Sequence, residues 1–282
     1  MTVVAALVAG ALATVVLQRT MREVLAQPLL ERENYRGHRL PTAVGLLLVV
    51  ATIAVDGGRT LAGVVGIGDA GTAGPRLALL AAVVAFGLLG LLDDLLGDAR
   101  DRGLKGHVGA ALRGRVTTGF VKLGGGAAVA LVLAGAIVGD RPGRVLLDGS
   151  LIALAANLGN LLDRAPGRTI KWGLVAYVPI AVVAGTSATG VALAVVAGSA
   201  AALLVADLRE AMMLGDTGAN ALGAALGTAT VLAVGPGVRD AAVAVLLALT
   251  VVSEFVSFSR VIAAVPPLRA FDRLGRRPEG RS

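Results

Sequence analysis

The chain has 282 residues, of which 56% are hydrophobic and only 16% charged, and its mean hydropathy is +0.80. A soluble domain draws on about 25% charged residues, so this supply excludes a water-facing surface of ordinary extent. The net charge of +7 is scattered through short loops with few aromatics beside them, which excludes a nucleic-acid surface; the absence of cysteine excludes disulfides and thiolate metal sites.

Charge-poor runs near 2–17, 40–55, 77–92, 118–138, 146–162, 172–185, 189–206, 218–235 and 241–258 predict about nine membrane-spanning helices. The first run has no basic residue before it and positive charge after it, the pattern of a retained span rather than a cleaved signal peptide. Trp172 to Ala206 carries no charge and is too long for one crossing; Pro179 and the GTSATG segment at 185–190 divide it into a helical hairpin. Abundant Gly and Ala inside the runs favour close helix packing. The loops at 18–39, 93–117, 163–171 and 207–217, with the tail from Arg260, hold 20 Lys and Arg, whereas the alternate loops hold 5. Basic loops stay cytoplasmic, so the N-terminus is expected outside and the C-terminus inside. The expected organisation is an all-α polytopic bundle over 1–259 and a basic cytoplasmic tail over 260–282.

The basic loops also carry the notable acids and amides. GLLDDLLGD places Asp93 and Asp94 side by side at the end of an apolar run, where two half-desolvated carboxylates repel and attract a proton or a cation. NLGNLLDRAPG spaces Asn157, Asn160 and Asp163 three apart on one helix side, and MLGDTGANALG puts Asp216 at the start of a Gly-rich run. Polar groups at membrane depth are costly unless they serve a site. Asp93, Asp94, Asn160, Asp163 and Asp216 form an oxygen-rich, sulfur-free set suited to Mg²⁺, and Lys122 with nearby arginines could hold phosphate. The plainer reading makes Asp216 a helix cap, the Asn pair an interhelical contact, and Asp98 and Asp101 solvated helix ends. His38 and His107 read as surface residues, and Trp172 and Tyr35 as interface anchors.

Four segments in order resemble the polyprenyl-phosphate N-acetylhexosamine-1-phosphate transferases, the family of the phospho-MurNAc-pentapeptide translocase and the GlcNAc-1-phosphate transferases. They are NYRGHRLPTAVG, GLLDDLLGD with RGLKGHVGAALRGRVTTGFVK, NLGNLLDRAPG and MLGDTGANALG. The resemblance implies that a polyprenyl phosphate attacks the β-phosphorus of a UDP-sugar and releases UMP. It further implies that Asp93 and Asp94 bind or deprotonate the lipid phosphate, that Asp216 and Asn160 hold Mg²⁺, and that Lys122 contacts phosphate. Asn157, Asp163 and Met213 would then line the nucleotide-sugar pocket. A bacterial plasma membrane location follows, and a homodimer is compatible with it.

Three features depart from the family pattern: the tail has no histidine and no tenth span follows, Met213 stands where an aromatic is usual, and RAPGR follows Asp163. These departures motivate a rival reading, a catalytically inactive member that binds lipid carrier or scaffolds an envelope complex. A small-solute transporter fits the span number but not the one-sided acids.

Overall fold

A computed structural model describes residues 1–68, 74–96 and 118–277. Its helices, in chain order, are α1 (Val3–Thr20), α2 (Arg22–Leu25), α3 (Gly45–Val64), α4 (Gly74–Leu96), α5 (Thr118–Val138), α6 (Pro142–Leu162), α7 (Arg168–Ala184), α8 (Ala188–Leu208), α9 (Gly215–Ala233), α10 (Pro236–Ser253), α11 (Phe258–Ala264) and α12 (Pro266–Arg273). Two three-residue strands, β1 (Glu31–Glu33) and β2 (Arg39–Pro41), pair antiparallel with Arg32 opposite Leu40. Asp98, Asp101 and His107 lie outside the described residues.

Local chemistry fixes several helix ends. The Thr2 hydroxyl accepts the Ala5 amide at 3.2 Å to start α1, and the Ser187 hydroxyl accepts the Gly190 amide at 3.3 Å to start α8. Proline at the first turn of α6, α10 and α12 presets the helical φ where no amide partner is needed. The expected hairpin turn falls at Gly185–Ser187; Pro179 sits inside α7 without ending it.

Among the described residues seven helices, α1, α3, α4, α5, α6, α8 and α10, are long and apolar enough to cross a membrane. The two remaining predicted spans are α7, with 17 residues and Arg168 and Lys171 in its first turn, and α9, which opens on the polar GDTGAN. α9 is the centre of the bundle, touching α3, α4, α6, α7 and α8. Its Ala219, Ala221, Leu222 and Ala225 are buried with Leu47, Leu48, Val83, Leu193 and Val196. A Cβ on Gly45 of α3 would overlap the backbone of Gly218 on α9, so these two helices meet main chain to main chain.

The segment after Ser257, expected as a tail from Arg260, forms α11 and α12 and folds back onto the start of α7. Arg168 grips Asp272 through both guanidinium branches, at 2.8 and 3.0 Å, and the Lys171 ammonium caps α12 through the carbonyls of Phe271, Asp272 and Leu274. Trp172 meets Phe271 edge-on at 5.0 Å. At the opposite end of the bundle, Asp148 on α6 is fully buried between Arg144 and Arg239, and Arg76 on α4 pairs with Asp56 on α3.

Candidate functional site

Three helices bring their charged ends together at one end of the bundle. The Lys122 ammonium, one turn into α5, contacts the carboxylate of Asp93 on α4 at 3.3 Å and that of Asp216 on α9. The Asp93 and Asp216 carboxyls also touch each other. Two acids thus share one ammonium in a half-buried cluster, and the acids present hard oxygens.

Asp94 has a different environment. Its Oδ1 accepts the Asp216 amide at 3.0 Å, and its Oδ2 accepts the Thr217 amide at 2.9 Å and the Thr217 hydroxyl at 2.6 Å. A carboxylate on α4 thus satisfies the orphan amides at the start of α9, where the helix dipole favours negative charge. Asp216, a candidate N-cap on sequence grounds, instead sits in the first turn, with Leu214 in the cap position. The chain turns into α9 through Gly215 at a φ of +72°, and a Cβ there would lie 2.7 Å from Asp94 Oδ2. Gly90, one turn before Asp94, lets α4 approach so closely that a Cβ would overlap the Asp216 carbonyl.

The β1–β2 hairpin and the α8–α9 connection brace this junction. Arg32 donates to the Asp94 and Leu95 carbonyls at 2.8 and 2.9 Å, capping α4 at its C-terminal end. The Met213 amide donates to the Pro41 carbonyl at 2.8 Å, and its carbonyl accepts the Val44 amide at 3.2 Å. Nearby, Glu210 accepts from Asn34 at 2.9 Å and from Tyr35 at 3.3 Å, and pairs with Arg36 at 3.1 Å. His38 is exposed.

Asp163 caps the end of α6 and accepts the Thr169 hydroxyl at 3.2 Å. Burial pushes its carboxyl well above the usual carboxylate range; the charges of Asp207, Asp216 and Asp94 push the same way and the Thr169 hydroxyl opposes them. It therefore shares the electrostatic neighbourhood of the junction. Asp207 at the end of α8 accepts the Gly167 amide at 2.8 Å and ties down the turn after Asp163. Asn160 is half-buried, one residue beyond Gly159, where α6 presses on the Ala219 carbonyl of α9.

Asn157 donates to Thr250 on α10 at 3.4 Å and lines a small cleft with Lys122, Phe86, Leu89 and Asn220. The Asn220 amide nitrogen in that cleft has no hydrogen-bond partner among the described residues, and the residue is 3% exposed. Thr217, Asn220, Asp207 and Glu210 were not singled out in the sequence. Thr217 and Asn220 stand in the same MLGDTGANALG segment as Asp216, the first adjacent to it and the second one helical turn on, and that spacing was the available signal.

No protein-family model matches the chain, and no curated protein matches it significantly. Among the described residues there is no cluster of three or more His, Cys, Asp or Glu poised to hold a metal. The Asp93–Asp216 contact nevertheless suits a hard divalent ion, because Mg²⁺ is commonly held by one or two carboxylates with water and substrate phosphates completing its shell.

Proposed function

We propose that this chain transfers a sugar-1-phosphate from a UDP-sugar to a membrane polyprenyl phosphate. The observation that carries the reading is the junction of Asp93, Asp94, Lys122 and Asp216, drawn from three helices to one end of an apolar bundle. In this reading α7 and α9 cross the membrane with the seven helices named above. The N-terminus is outside, the junction faces the cytoplasm, and the chain resides in a bacterial plasma membrane. The distribution of Lys and Arg, 20 against 5 between alternate loops, supports that orientation.

The lipid phosphate oxygen attacks the β-phosphorus, the bond to the bridging oxygen breaks, and UMP leaves with that oxygen. Asp93, half-buried beside Lys122, orients the lipid phosphate and takes its proton if it arrives protonated. The Lys122 ammonium neutralises phosphate charge once substrate separates it from the two acids. Asp216 with Asp93, and Asn160 from the neighbouring helix, would hold Mg²⁺. Bound there, the ion would offset charge developing on the diphosphate. Asp94 is a positioning residue, since both its oxygens are engaged by the start of α9. Asn157 and Asp163 flank the approach for the nucleotide sugar, and Met213 lies on the strap that carries Asp216.

The test is UMP release by the detergent-purified protein given polyprenyl phosphate, Mg²⁺ and a panel of UDP-sugars. Release with one donor, abolished in Asp216→Asn, is the expected result. A folded preparation that releases no UMP with any donor, yet retains lipid carrier, would make it a binding protein.

A further inference from the structure

The outer face of α1 is apolar along its whole length. Val4, Val8, Leu12 and Val16 are all exposed, and their four-residue spacing makes one continuous stripe. Beside Val16, the last residue of the stripe, an open cleft is lined by Val15, Gln18, Arg19, Arg22 and Met212. Gln18 reaches across it, its amide nitrogen 3.6 Å from the Met212 sulfur. The guanidinium groups of Arg19 and Arg22 make no hydrogen bond or ion pair among the described residues. By contrast, Arg32, Arg36, Arg168 and Arg276 around the same end are all engaged.

We propose that this cleft seats the phosphate headgroup of an anionic phospholipid, with one acyl chain lying along the α1 stripe. The charge is complementary: two unengaged guanidiniums face a site where a bilayer surface begins, and α1 is one of the helices long and apolar enough to span. A free phosphate would use the arginines but leave the Val16–Leu12–Val8 track unexplained; a lipid uses both. The Gln18 amide supplies a neutral donor for an ester or glycerol oxygen. Because Met212 lines the cleft and precedes Met213, an occupied cleft would brace the α8–α9 connection. The proposal stands without the transferase reading.

The experiment uses the full-length protein, stripped of lipid in detergent and then given phosphatidylglycerol, phosphatidylcholine or inorganic phosphate. Retained lipid is counted by native mass spectrometry and the unfolding temperature is followed. Wild type is expected to keep one phosphatidylglycerol and to unfold several degrees higher with it, and to respond to neither phosphatidylcholine nor phosphate. Arg19→Gln/Arg22→Gln, at exposed positions, should lose both the bound lipid and the shift. Arg260→Gln/Arg269→Gln, which removes the same charge elsewhere on that end, should keep both. Retention by the first pair, equal loss by the second, or a shift with phosphate alone would each overturn the assignment.

Discussion

Asp94 accepts two hydrogen bonds from one residue, Thr217, through its amide at 2.9 Å and its hydroxyl at 2.6 Å. The pairing joins the end of α4 to the first turn of the most buried helix, so the geometry of Asp216 depends on a neighbour that need not touch substrate. Thr217→Val keeps the amide bond and removes the hydroxyl bond. Its expected cost is about 2 kcal/mol, the range for a bond to a charged group. Asp94→Asn should cost more, since an amide cannot accept all three bonds with both its ends. Denaturant unfolding in detergent measures both, and UMP release should fall in the same order.

Lys122 is the cation between two acids that touch each other, and its removal should expose their repulsion. In Lys122→Gln the Asp93–Asp216 pair has only a proton or an added cation to relieve it. Mg²⁺ should therefore raise the unfolding temperature of the variant by more than that of wild type. Turnover should drop by about a hundredfold or more, the scale for losing one preorganised charge-stabilising group. Equal Mg²⁺ responses in the two proteins would argue against a divalent ion at this junction.

Much of this arrangement was legible in the amino-acid order, because helix length, apolar runs and turn residues are local. The α7–α8 hairpin and the position of Asp93 and Asp94 at a helix end emerged as expected. The plainer reading of Asp216 as a helix cap did not: the amides at the start of α9 are capped by Asp94, from 122 residues away in sequence. The docking of the tail was not legible for a related reason. It reads as a basic cytoplasmic tail, and Asp272 and Phe271 give it specific partners in Arg168 and Trp172, a pairing no local pattern encodes.

The far end of the bundle offers a control. Asp148 is fully buried and paired with Arg144 at 2.5 Å and Arg239 at 2.7 Å, linking α6 to α10. Asp148→Ala leaves two guanidiniums without their shared acid, and Arg239 already has a buried nitrogen without a hydrogen-bond partner among the described residues. Breaking a buried pair on one side costs about 3–5 kcal/mol, so the variant should unfold far more readily. Asn160 is twelve residues further along α6, about 18 Å away at the helical rise. The folded fraction should therefore keep its UMP release, measured per folded molecule.

The docked tail should be sensitive to acid, and the direction follows from Asp272. Burial alone would raise its carboxyl pKa, but the hydrogen bonds and charge of Arg168, with Arg276 and Lys171, outweigh burial and hold it below the ordinary 3.8. A carboxyl with a lowered folded-state value binds fewer protons folded than unfolded, so stability rises with pH through that window. The Arg168–Asp272 clamp should be fully in force above about pH 4 and be lost as pH falls through the lowered value. Trp172 fluorescence reports the event, because releasing α12 removes Phe271 from the Trp172 ring. Wild type should show an acid transition in that signal. Asp272→Asn should already resemble the acid form at neutral pH, with no further transition assignable to the clamp.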